Sequence, residues 1–189
     1  VMIDDVGAGP LIDFSQFGFE PEPTLPESVR TGADLITCSA DKLIGACQGG
    51  IILGRADLVQ RVRKSPLARM VRVGKLTLAA LEATLSLFLD QAAALEQVPT
   101  LQMLRRPLSE LSEQAERMAQ SVRGRVPHAD VCVVDGFSQM GSGSLPTQEL
   151  STRLIEIASA GCSAQALATQ LRRAKPPIFT RIRKERVLV

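Results

Sequence analysis

Lys42 stands among residue types that can do chemistry. Ser39 lies three residues before it, Asp41 immediately before it, and Gly45, Gly49 and Gly50 follow. The apolar run Leu35-Ile36 leads into this loop and a second run, Ile51-Ile52-Leu53, leads out. An amine held between two short buried strands suits covalent nucleophilic chemistry. Such an amine must be partly desolvated to lose its proton near neutral pH, and it needs small neighbours to admit a bulky partner. Upstream, Asp4 and Asp5 end the apolar run Val1-Met2-Ile3, and Gly7-Ala8-Gly9-Pro10 turns the chain directly after them. Two carboxylates closing one strand and a lysine following a later one suggest a pyridoxal-phosphate site. The lysine would hold the cofactor covalently, a carboxylate would keep the pyridine nitrogen protonated, and Ser39 with nearby backbone N–H groups would hold the phosphate. By position alone Lys42 reads more readily as a surface-loop lysine. Ser-x-x-Lys strings and Asp-rich turns are common, so spacing narrows the chemistry without fixing it.

The elements that must position these residues follow from the apolar patterning. The first strand, over 1–5, delivers its carboxylates to a carboxyl end, where open α/β sheets bind ligands. Residues 13–26 are irregular; Pro26 can open a short helix over 27–30 and Gly32 can close it. Strand, lysine loop and strand fill 34–53, too close for a helical crossover, so the two strands are a hairpin or sheet neighbours. Residues 56–64 fit an amphipathic helix, and Pro66 starts another. If Arg69 and Arg72 lie on that helix, three apart, they share a face and can clamp an anion. The alternative is a solvated helix face, with Lys75 either joining the clamp or remaining at the surface. The longest helical pattern runs over 76–95, with Leu78, Leu81, Leu85 and Phe88-Leu89 at three- and four-residue steps. Its apolar positions nearly encircle it, which predicts burial, in part at a subunit or domain interface. The composition shifts after residue 98, giving domains over 1–98 and 99–189. The second reads as a small α+β domain: a helix over 109–123, a strand over 130–134, a Gly/Ser-rich loop over 136–146 and a strand over 154–157. A helix opened by Ser163 and running to Arg173 follows, then a terminal hairpin over 178–182 and 186–189.

The bulk numbers exclude other classes. Of the 189 residues 45% are hydrophobic and 22% charged, with a net charge of +2, which argues against disorder and against a strongly basic nucleic-acid surface. Cys38, Cys47, Cys132 and Cys162 form no CxxC pair and His128 is the only histidine, so no metal site is expected and the thiols read as reduced, in a cytoplasmic protein. No apolar run reaches the roughly 18 residues of a membrane span, and no signal peptide is seen. The chain begins at Val1 and stops at Val189 inside apolar runs, which reads as a fragment.

The wording of the sequence narrows the chemistry further. Asp5-Val-Gly-Ala-Gly9, Ser39-Ala-Asp-Lys-Leu-Ile-Gly45 and Gln48-Gly-Gly-Ile-Ile-Leu-Gly54 come in order. Pro66-Leu-Ala-Arg-Met-Val-Arg72 and Lys75-Leu-Thr-Leu-Ala-Ala-Leu-Glu-Ala-Thr-Leu85 follow, then Gly141-Ser-Gly-Ser-Leu-Pro146 and Pro177-Ile-Phe-Thr-Arg-Ile182. Together they closely resemble the bacterial selenocysteine synthases, the L-seryl-tRNA(Sec) selenium transferases. The resemblance implies the aspartate-aminotransferase-like α/β fold of type I pyridoxal-phosphate enzymes. This chain would be the carboxyl-terminal half of the large domain followed by a small α+β domain.

The enzyme implied converts seryl-tRNA(Sec) to selenocysteinyl-tRNA(Sec) with selenophosphate, by β-replacement on the tRNA-linked serine. Lys42 is then the Schiff-base lysine and proton shuttle, Asp5 the pyridine partner with Asp4 as fallback, and Ser39 the phosphate-side serine. Asp41 orients Lys42 or bonds only within the loop. Arg69 and Arg72 hold selenophosphate or the leaving anion. The resemblance also implies a homo-oligomer with sites between subunits, tRNA binding mainly through an amino-terminal domain outside these residues, and an inactive fragment when isolated. Ala8, Ala40, Ala46, Cys47 and Gly74 depart from the usual family residues and bear on the loop's backbone path. Two competing readings are a related type I lyase acting on a small amino acid and a non-catalytic truncated remnant.

Overall fold

A computed structural model describes residues 1–141, 144 and 148–189. The chain divides into two compact units, Val1–Arg105 with Met140–Gln148, and Arg106–Gln139 with Glu149–Val189.

The first unit is built on a three-stranded sheet, β1 (Ile3–Gly7), β2 (Leu35–Ser39) and β3 (Gly50–Gly54), in that order. β1 pairs with β2 in parallel and β2 with β3 antiparallel. In β2 the residues alternate between buried and half-buried, and Ile36 and Cys38 point into the core, as a strand's period of two requires. The crossover from β1 to β2 passes a 3-10 turn, Phe14–Phe17, and helix α1 (Leu25–Arg30). α1 starts with a reciprocal cap: the Glu27 N–H donates to Thr24 Oγ1, and the Thr24 N–H and hydroxyl donate to the Glu27 carboxylate. Leu25 from α1 joins Ile36, Cys38 and Ile44 in one buried cluster, flanked by Val6, Leu11 and Ile51. Full burial of side chains this size contributes about 1.5–3 kcal/mol each.

After β3 come α2 (Ala56–Lys64), α3 (Pro66–Val71), α4 (Lys75–Leu87), α5 (Gln91–Gln97) and α6 (Pro99–Leu104). Two expectations change here. The apolar pattern over 76–95 is not one helix: α4 and α5 meet at a bend of 120°. The Asp90 carboxylate accepts from the Ala92 N–H and starts a new helix there. Nor is α4 buried, since none of its residues is fully covered and Leu76 is 80% exposed. Among the described residues no single helix is long and apolar enough to cross a membrane. The first unit also extends past the expected 98/99 boundary to Arg105. Val98, Leu101 and Leu104 of the α5–α6 segment are buried in it.

The second unit is an antiparallel sheet in the order β4 (Ala129–Gln139), β5 (Glu149–Ser159), β7 (Arg186–Leu188), β6 (Arg181–Arg183). α7 (Leu108–Arg125) packs Ala115 and Ala119 onto Val131 and Ile155, and α8 (Ala164–Arg173) packs Ala164 and Ala168 onto Val187. β4 runs on to Gln139, through a stretch expected to be loop, because it pairs residue by residue with β5 from Ala129↔Ser159 to Gln139↔Glu149. Gly136 belongs inside that strand, since a Cβ there would meet Leu154 Cγ at 2.6 Å. Most of the Gly141–Pro146 motif lies outside the described residues.

Candidate functional site

The parallel pairing of β1 and β2 sets which carboxylate shares a face with Ser39. Asp4 stands opposite Ile36, on the buried face, and Asp5 opposite Thr37. Successive strand residues face opposite ways, so Asp5, Thr37 and Ser39 share one face at the strands' carboxyl ends. The Thr37 hydroxyl donates to Asp5 Oδ1 at 2.8 Å. Asp5 is exposed, Thr37 and Ser39 half-buried. On the opposite face Cys38 is buried. Burial first, and the nearby Asp5 carboxylate second, push its thiol up, so it stays neutral.

Two chain segments close around this end of the sheet. Gly7 and Gly9 both have positive φ. A Cβ on Gly9 would stand 3.0 Å from the Cys38 Cβ and 3.0 Å from the Ser39 carbonyl. Only glycine combines that φ with so close an approach. The second segment is the lysine loop. At its base the Ala40 N–H donates to the Gly49 carbonyl at 2.8 Å, and the Ala46 N–H to the Ala40 carbonyl at 2.9 Å. At its tip the Gly45 N–H donates to the Lys42 carbonyl at 3.0 Å, and the Leu43 N–H crosses to the Ala8 carbonyl at 3.2 Å. Leu43 and Ile44 are fully buried and anchor the loop, Lys42 is half-buried and Asp41 exposed. Gly45, at φ +71°, packs so closely on Val98 that a Cβ would come within 2.8 Å of its Cγ1.

A strap over residues 72–74, leading into α4, flanks the far side of the loop. The Cys47 thiol donates to the Thr77 carbonyl at 3.3 Å, and a Cβ on Gly49 would be 3.8 Å from Val73. The strap corrects one expectation. α3 ends at Val71 and Arg72 is extended (φ −64°, ψ 136°), so Arg69 and Arg72 do not share a helix face. Both are exposed, as is Lys75, and among the described residues none of the three is in an ion pair. Arg72 lies in the strap, next to the Val73 that meets Gly49 of the loop, and not on the helix.

The structure thus brings Asp5, Ser39, Asp41 and Lys42 to one edge of the sheet, and the strap that carries Arg72 meets the loop through Val73 and Gly49. Thr37 escapes a reading of the sequence because its role needs the strand register, which no local pattern encodes. Cys47 stands out there only as a departure, although it ties loop to helix. Among the described residues no cluster of His, Cys, Asp and Glu is arranged to hold a metal ion.

The family model for L-seryl-tRNA selenium transferase matches residues 1–189. An L-seryl-tRNA(Sec) selenium transferase of Alkaliphilus metalliredigens is 44% identical over 187 residues, covering 99% of this chain and 40% of the relative. One from Geobacter sulfurreducens is 45% identical over 186 residues, covering 98% and 40%. The chain therefore spans about two fifths of the length of the curated relatives it matches. Among solved structures, D-glucosaminate-6-phosphate ammonia-lyase is similar at a TM-score of 0.52 and 18% identity, over 99% of this chain and 42% of that one. That likeness concerns the fold alone, the α/β architecture the resemblance implied. Matched along its whole length, the chain belongs to the L-seryl-tRNA selenium transferase family.

Proposed function

We propose that this chain carries the cofactor-lysine edge of a pyridoxal-phosphate-dependent enzyme that converts seryl-tRNA(Sec) to selenocysteinyl-tRNA(Sec), with selenophosphate as selenium donor. The observation that supports it most directly is the bond from the Leu43 N–H to the Ala8 carbonyl. It ties the residue after Lys42 to the turn that closes the strand of Asp5.

The donor set fits pyridoxal phosphate: a primary amine, a carboxylate with one oxygen hydrogen-bonded, and a hydroxyl, all at one sheet edge. When bound, the cofactor supplies an electron sink that acidifies the α-proton of a linked amino acid. Lys42 would bind it covalently, and its freed amine would move the proton at the substrate α-carbon. Asp5, its Oδ1 held by the Thr37 hydroxyl, would keep a ring nitrogen protonated through Oδ2. Ser39, on the same face, would donate to the phosphate. Asp41 is adjacent in sequence and would orient the lysine amine. Arg69 and Arg72 would attract the selenophosphate anion from exposed positions. The reading includes a cytoplasmic homo-oligomer. The exposed Leu67, Met70, Val71, Leu76 and Leu78 of α3 and α4 support such assembly.

The test is borohydride reduction of the full-length protein with pyridoxal phosphate, followed by peptide mapping. The label is expected on Lys42, and K42A is expected to lose both label and turnover. Label on another lysine, or turnover by K42A, would overturn the reading. A lyase acting on a small amino acid would turn over without charged tRNA and selenophosphate.

A further inference from the structure

The charge of this chain is unevenly placed. Between Leu58 and Lys75 stand Arg61, Arg63, Lys64, Arg69, Arg72 and Lys75 with no acidic residue, although the chain holds 22 basic and 20 acidic residues. The remainder is therefore net negative. All six cations are exposed, and among the described residues none is neutralised in an ion pair. By contrast Arg55, at the start of the same stretch, is bound to Asp34 at 2.9 Å and Asp57 at 3.0 Å. α2 turns Leu58, Val59 and Val62 inward and leaves Arg61, Arg63 and Lys64 in solvent.

The path of the chain makes this an oriented strip. Arg55 sits at one end of the sheet, its N–H donating to the Asp34 carbonyl beside the Leu35↔Gly54 pair. Val73 lies at the other end, against Gly49 of the lysine loop. Between them α2, the single residue Ser65 and α3 carry the chain from the far end to the loop. A substrate linked to a nucleic-acid end and delivered to Lys42 must leave over some neighbouring surface with a phosphate at every nucleotide.

We propose that Arg61 and Lys64, three apart on one solvent-facing side of α2, with Arg63 on its flank, form a track for the phosphate backbone of the RNA that delivers the substrate. The track is separate from the small-anion role given to Arg69 and Arg72. This rests on the reading above for the identity of the RNA, while the track itself follows from charge and placement. Phosphates bind unpaired cations by releasing counterions, without base recognition. The track therefore contributes affinity and register, and base selection lies elsewhere.

The experiment measures binding of a tRNA(Sec) transcript to the full-length protein by fluorescence anisotropy across a salt series. The variant R61Q/R63Q/K64Q is compared with R125Q/R172Q/R173Q, which removes three exposed charges from the second unit. The α2 variant is expected to flatten the slope of log affinity against log salt by about two to three, at roughly 0.7–0.9 for each phosphate no longer neutralised. KM for the charged tRNA should rise, while borohydride labelling of Lys42 stays at the wild-type level. The control variant should leave the slope unchanged. Equal slopes for wild type and the α2 variant would overturn the proposal. So would unchanged tRNA binding with altered self-association in sedimentation, which would make the strip a protein contact. Should the triple variant misfold by circular dichroism, R63Q alone should flatten the slope by about one. Failure of Lys42 to label in the wild type would overturn the cofactor reading and leave the slope result standing.

Discussion

The lysine loop and the strap beside it contribute to the same edge and are built in opposite ways. The loop from Ala40 to Gly49 is closed by its own backbone hydrogen bonds and pinned by two fully buried side chains, Leu43 and Ile44. Residues 66–87 bury no side chain fully and expose Leu67, Met70, Val71, Leu76 and Leu78 together with their cations. Lys42 therefore owes its position to packing within the first unit. Arg69 and Arg72 owe theirs to a chain path with little local support. Under the function proposed above, a preorganised lysine and loosely held arginines suit chemistry in which the covalent anchor must be fixed and the small anion must come and go.

The comparison can be broken by mutation. Ile44→Ala should destabilise the protein by about 2–5 kcal/mol, because its site cannot collapse without disturbing Leu25, Ile36 and Cys38. Urea denaturation would measure it, and a loss below about 1 kcal/mol would mean the loop is not core-anchored. Gly45→Ala should cost about 1–3 kcal/mol from its positive φ and its contact with Val98. In G45A/V98A the two losses should be less than additive, since the second change removes the clash. Leu76→Ala, at 80% exposure, should alter monomer stability by no more than about 0.5 kcal/mol. A larger loss in sedimentation-verified monomer would show that α4 is as firmly held as the loop.

A last effect concerns acid. Hydrogen bonds from the Thr24 N–H, and then from its hydroxyl, hold the Glu27 carboxyl below its usual range. A depressed carboxyl stabilises the fold above its unfolded value and loses that contribution as pH falls through the folded one. The α1 start should therefore loosen below the ordinary value of 4.5, read as faster amide exchange at Glu27 and Ser28. E27Q should flatten this pH dependence.

Much of the edge was legible because alternation and punctuation are local signals. The pattern of β2, the glycine turn after Asp5, the Ser163 cap and the starts at Pro26 and Pro66 all lie in short strings. What escaped depended on distant partners or on weak signals overridden by strong ones. The Leu- and Ala-rich run over 76–95 masked the Asp90 cap that splits it. Gly136 read as loop because its reason, Leu154, arrives from β5. Arg72 left the helix although Gly74, two residues on, already favoured a break. At the site, Thr37 waited on the register of β1 against β2, which also puts Asp5, already preferred over Asp4 from the resemblance, on the face of Ser39.

That register carries an irregularity: Asp5 pairs with Thr37, but Gly7 pairs with Cys38, so one residue of β1 is taken up in a bulge. The arrangement measures length differently in its two parts. The crossover from Pro10 to Ala33 can lengthen or shorten at its surface turns, because its ends are fixed by strand pairing and not by residue count. The step from Asp5 to Gly7 has no such slack. Removing Val6 would abolish the bulge, and with it the local kink that leads into the glycine turn, and would take the Val6 side chain away from the cluster of Leu25, Ile36, Cys38 and Ile44. Homologous chains should thus vary freely in the crossover and hold the spacing from carboxylate to first glycine constant.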